Sequence, residues 1–69
     1  MNARIAIQES KRLINELFNS SKEFAERKGV TIEEAIDFKT SVSVKYAKTA
    51  TQAHAFEIRA EEAKKLIEN

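Results

Sequence analysis

The sequence predicts an all-α fold, and three features carry that expectation. Proline is absent and Gly29 is the only glycine, whereas strand-rich domains need turn residues at each chain reversal. Ten alanines accompany many Glu, Lys, Arg, Gln and Leu residues, all favourable in helices. Apolar residues recur at intervals of three and four along nearly the whole chain, the period of one helix face.

The first helix is expected over residues 3–28. Ala3, Ala6, Leu13, Leu17 and Phe24 form its apolar stripe, widened on one side by Ile7, Ile14, Phe18 and Ala25, with Ser10 and Ser20 as polar interruptions. Arg4, Gln8, Lys11, Arg12, Asn15, Lys22 and Glu26 cover the other face. Ser20 and Glu23 form an S-x-x-E pattern, but the stripe stays in phase through it, so the helix is read as continuous.

Its end is marked more sharply than any other point in the chain. Arg27 and Lys28 place positive charge at the negative end of the helix dipole. Gly29 then occupies the position that favours a left-handed conformation, which makes Gly29-Val30 a tight turn. Thr31-Ile32-Glu33-Glu34 is a capping box that starts the next helix, with Val30 and Ala35 spaced as a hydrophobic staple.

A second helical segment is expected over residues 31–68. Its stripe runs Ala35, Lys39, Val42, Tyr46, Thr49, Ala53, Phe56, Ala60, Ala63, Ile67. Residues 40–44 are its weak point, because β-branched and serine residues lower helix propensity there. Two forms stay open: one unbroken helix, or two helices meeting at a bend near Ser41. At 1.5 Å per residue the first helix is about 39 Å long and an unbroken second helix about 57 Å. A lone hairpin would leave an amphipathic overhang, so a three-helix bundle or assembly with another chain is expected. Leu13, Leu17, Phe24, Val42, Ala53, Phe56, Ala60 and Ile67 are the residues expected to form the core or the contact between copies. Six of the ten alanines lie between Ala47 and Ala63, a stripe that removes little apolar area from water per residue. That too favours a multi-helix assembly.

Sixty-nine residues make a single domain with little room for a core. Without cysteine, neither disulfides nor thiolate metal sites are available to reinforce it. No stretch approaches the ~20 apolar residues of a membrane span, and residues 1–12 lack the basic start and apolar run of a secretion signal. A cytoplasmic protein without membrane contact is expected. Twelve basic residues against eleven acidic ones give a net charge of +1, neither the strongly basic balance of a nucleic-acid binder nor the strongly acidic one of a DNA mimic or disordered tail.

No catalytic, cofactor or metal constellation is expected. Glu33, Glu34 and Asp37 cluster where a helix start favours acids. His54 is the only histidine, too little for a zinc site or a nucleophile–base pair without converging partners. A single glycine cannot build a phosphate loop.

Two patterns bear on DNA. Residues 24–31, with Ala25 four positions before Gly29, resemble the turn of helix-turn-helix proteins. Lys28 departs from that pattern, and Glu33, Glu34 and Asp37 would bring acids towards phosphates. Arg4-Ile5-Ala6-Ile7-Gln8 alternates like a short strand ahead of two helices, which resembles ribbon-helix-helix repressors and antitoxins. That resemblance implies a dimer reading DNA through a strand at residues 3–8, with Asn2, Arg4 and Gln8 outward. In size the chain is similar to the small secreted helical-hairpin dimers of the WXG type, whose Trp-x-Gly turn it lacks.

The clearest charge feature lies elsewhere. No acid occurs from Phe38 to Phe56, while Lys39, Lys45 and Lys48 do. On a continuous helix Lys45 and Lys48 share a side with Ser41 and Gln52, and Tyr46 belongs to the inward stripe with only its hydroxyl at the rim. Ser41, Lys45, Tyr46, Lys48 and Gln52 are therefore the expected partner-binding face. The combined expectation is a non-enzymatic adaptor, inhibitor or regulator that self-associates and binds a protein partner. A small DNA-binding regulator or antitoxin is the competing class.

Overall fold

Three α-helices account for most of the chain: α1 (Ala3–Lys28), α2 (Ile32–Lys45) and α3 (Ala50–Lys65), followed by a 3-10 turn at Leu66–Glu68. The computed structural model describes the backbone of residues 3–68 and the side chains of residues 8–67. The helices pack against one another as a small all-α bundle, measuring 40 × 28 × 16 Å. There is no strand among the described residues. Residues 3–8 are helical, which removes the strand that the ribbon-helix-helix reading requires.

The end of α1 follows its sequence signals. Gly29 has φ +69°, and the backbone N–H groups of Gly29 and Val30 both donate to the Ala25 carbonyl, at 2.9 and 3.1 Å. Those two bonds satisfy a carbonyl that the helix end would leave open. Thr31 then caps α2: its hydroxyl accepts from the Glu34 N–H at 3.0 Å. α1 also runs unbroken through Ser20 and Ser21.

The second helical segment is broken, but not at the expected place. Residues 40–44 stay helical, and the chain leaves the helix at residues 46–49. Neither proline nor glycine interrupts residues 40–44, and Thr40, Ser43 and Val44 are half-buried there, so packing offsets their low propensity. The break has its own chemistry. Tyr46 ends α2, its N–H reaching the Val42 carbonyl at 3.2 Å, and the Ala47 N–H reaches Val44 at 3.2 Å. Thr49 adopts an extended conformation and its hydroxyl accepts from the Gln52 N–H at 3.0 Å. The Gln52 side-chain oxygen in turn accepts from the Lys48 N–H at 2.9 Å. Thr49-Ala50-Thr51-Gln52 is thus a T-x-x-Q start signal of the kind that also opens α2. Replacing Thr49 with alanine should lower stability by about 1 kcal/mol, measured by urea denaturation. A variant with the parent's midpoint would show that α3 does not depend on this cap.

The buried faces are rotated from the expected stripes. In α1, Ser21 and Ala25 are buried and Ile14, Leu17 and Phe18 half-buried, whereas Ser20 is exposed. The inward line therefore lies towards the widened side of the predicted stripe. In α2, Ala35 and Ile36 are fully buried and Ile32, Thr40, Ser43 and Val44 partly so. Val42 and Tyr46, expected inside, are exposed. Residues 42 and 44 point about 200° apart on a helix, so only one valine can face inward, and Ile36 draws the face with Val44. In α3, Ala60 and Ala63 are buried, Ala53 and Phe56 half-buried, and Ile67 exposed. The 3-10 turn aligns residues three apart, which brings the half-buried Leu66 beneath Ala63 in place of Ile67.

The hydrophobic core is small. Its fully buried apolar residues are Ala25, Ala35, Ile36, Ala60 and Ala63. Ile36, Ala60 and Ala63 form one cluster, covered by Ile14, Leu17, Phe18 and Ile32. Alanine and serine at the contacts let the helices approach closely but bury little apolar surface. The Ser21 and Thr40 hydroxyl oxygens are enclosed without a hydrogen-bond partner. An ion pair joins α3 to α2: Lys64 Nζ lies 2.6 Å from Asp37 Oδ1. The hydrogen bond to Asp37 raises the Lys64 pKa. On the alkaline side its stabilisation is therefore lost as pH rises through that raised value.

Candidate interaction surface

The five residues expected to bind a partner are all exposed, yet they do not share one helix. Ser41 and Lys45 belong to α2, Tyr46 ends it, Lys48 lies in the connection, and Gln52 is in the first turn of α3. The chain turns between Lys45 and Lys48, so the two lysines meet at a corner of the molecule rather than along a helix face. Gln52 is committed to the Lys48 backbone as part of the cap. Tyr46 is 74% exposed, a correction to its expected inward ring. At the helix end the ring no longer faces a neighbouring helix, and Lys45 Nζ lies 5.9 Å from its centroid.

The corner continues into an apolar ridge, two of whose residues, Val42 and Tyr46, belong to the stripe expected to face inward. Phe38, Val42 and Tyr46 succeed one another at four-residue intervals along α2, with Phe38 56% and Val42 42% exposed. Phe24 of α1 stacks on Phe38, with centroids 5.4 Å apart and planes inclined by 15°. Lys39 Nζ covers the Phe24 ring at 5.5 Å from its centroid. Leu17 lines a shallow hollow with Phe38, Lys39, Val42 and Ser43. The ridge on α2 and the ring and leucine on α1 are thus one surface.

Charge along α2 is graded. Glu33 and Glu34 occupy its first turn and Lys45 its last, with Lys48 just beyond. Both acids are exposed, as are both lysines. Asp37 is held by Lys64 on the other side of α2.

A second groove lies between α2 and α3, lined by Asp37, Thr40, His54, Glu57, Ile58 and Lys64 among others. His54 is exposed at its edge. Among the described residues, no group of three His, Cys, Asp or Glu side chains is placed to hold a metal ion. Likewise, no described helix is long and apolar enough to cross a membrane. On α1, Arg12 bridges Glu9 and Glu16, the latter at 2.9 Å. These contacts, foremost the hydrogen bond to Glu9, raise the arginine's pKa further and occupy the basic group nearest the middle of that helix.

The ridge could have been found in the sequence. Phe38, Val42 and Tyr46 are an unbroken i, i+4, i+8 row, and the row is visible without coordinates. Its outward direction is not, because a row of apolar residues on a helix is read as the buried side unless a competing face is better. No family model, no curated protein and no solved structure matches this chain.

Proposed function

We propose that this chain is a non-enzymatic helical interaction module that self-associates and uses the α2–α3 corner with the adjoining α2 ridge as its contact surface. The observation that carries this reading is the area left uncovered. A folded monomer of 7.8 kDa is expected to expose roughly 4,400 Å². This chain exposes 5344 Å², on the order of 1,000 Å² more than that scaling gives. Part of the exposed surface is a continuous apolar row: Phe38, Val42 and Tyr46 adjoin half-buried Phe24 and Leu17. Contiguous exposed apolar side chains rimmed by polar ones are the surfaces on which proteins meet partners. The lysines at the rim add charge selectivity more than affinity.

Sedimentation at micromolar concentration should give a mass above that of one chain, and the melting temperature should fall on hundredfold dilution. A single-chain mass throughout, with an unchanged melting temperature, would overturn self-association.

A further inference from the structure

We infer that the occupant of the α2 ridge is the same ridge on a second copy, with the two α2 helices antiparallel and Val42 on the two-fold axis. This deepens the self-association proposed above and rests on it. Two properties of the surface select a second copy in that orientation.

The first is shape. Phe38, Val42 and Tyr46 form a row at four-residue intervals. Two such rows interdigitate at a crossing angle of about −50°. In an antiparallel crossing the smallest of the three, Val42, meets its own equivalent where the axes are closest. Phe38 then lies beside Tyr46 of the second copy, where the diverging helices leave room for rings. A two-fold interface must be complementary to itself, and a row with a small centre and large ends satisfies that.

The second is charge. α2 begins with Glu34 and ends with Lys45, followed by Lys48, and on a helix residues 34 and 45 lie on one flank of the Phe38–Tyr46 row. Glu33 lies on the opposite side of α2, towards Lys64. The antiparallel arrangement turns the acidic start of each helix towards the basic corner of the other. A parallel arrangement would set lysines against lysines, which is unfavourable. An unrelated acidic helix would suit the lysines alone and leave Glu34 facing like charge.

The test compares the dimer dissociation constant, by sedimentation equilibrium, of the parent, Val42→Glu and Ile58→Glu. Ile58 is half exposed on α3, in the groove away from the ridge, so it controls for the added charge. Val42→Glu places two like charges on the axis and should weaken association roughly tenfold or more, with Ile58→Glu near the parent. Circular dichroism of each variant confirms that the helices persist, and Val42→Ser serves if the glutamate variant loses them. Orientation is tested separately by mixing. Lys45→Glu with Lys48→Glu in one chain, and Glu34→Lys in another, should each self-associate poorly and pair with one another. A parent that dimerises while neither Val42 variant differs from it overturns the ridge interface and leaves self-association standing. Charge variants that pair no better mixed than alone overturn the antiparallel arrangement. A parent that stays a single chain overturns both the interface and the reading beneath it.

Discussion

Ile36→Ala should lower the stability of this protein by about 3 kcal/mol, within the range of 2–5 kcal/mol for large-to-small changes at buried sites. Among the described residues, Ile36 is the one large side chain that is fully buried. It sits against Ala60 and Ala63, beneath Ile14, Leu17, Phe18 and Ile32. The alanines opposite it are already minimal and cannot grow into the space, so the cavity would persist. A 69-residue domain has a total stability of roughly 3–10 kcal/mol. The variant should therefore melt more than about 10 °C below the parent or fail to fold at 37 °C. Ile36→Val, which removes one methylene, should cost about 1 kcal/mol. Thermal and urea denaturation of the three proteins would check the series. An Ile36→Ala variant that melts within a few degrees of the parent would show that α3 does not pack on α2 through this residue.

Gly29→Val should cost about 1–2 kcal/mol, for a reason confined to the backbone. The glycine has φ +69°, and a Cβ built there meets nothing within 4 Å. Sterics with neighbouring groups therefore contribute nothing, and the loss is that of holding a β-branched residue in the left-handed region. The expected order of stability is Gly29, then Asn, Ala and Val, since asparagine tolerates that region best of the three replacements. Denaturation midpoints of the four proteins test the order directly. A valine variant as stable as the parent would mean that the junction between α1 and α2 does not need its left-handed residue.

The chain's punctuation was legible one residue at a time. Arg27-Lys28-Gly29 and Thr31-x-x-Glu34 act through groups within a few positions of each other, so their effect is present in the local sequence. The Thr49-x-x-Gln52 start signal is equally local. The low helix propensity of residues 40–44 points to a bend there instead, and propensity is a weaker guide than a cap. Once the second start is recognised, the break at residues 46–49 needs no tertiary information, and the Lys45–Lys48 pair ceases to be a helix face.

What the local sequence could not decide was which way each helix faces. α1 and α2 both offer more than one apolar line. In α1, Ser20 and Ser21 are equivalent as letters, yet one is exposed and the other enclosed. In α2, Val42 and Val44 are the same residue on opposite sides. Burial is a property of the contact between helices, and it was settled by Ile36, Ala60 and Ala63 coming together from positions more than twenty residues apart. Helix class, helix ends and the excess of charged surface follow from forces acting within a turn or two of the chain. The direction of each face, and with it the exposure of Phe38, Val42 and Tyr46, follows from the packing of three helices at once, where burying one line of side chains requires leaving another in water.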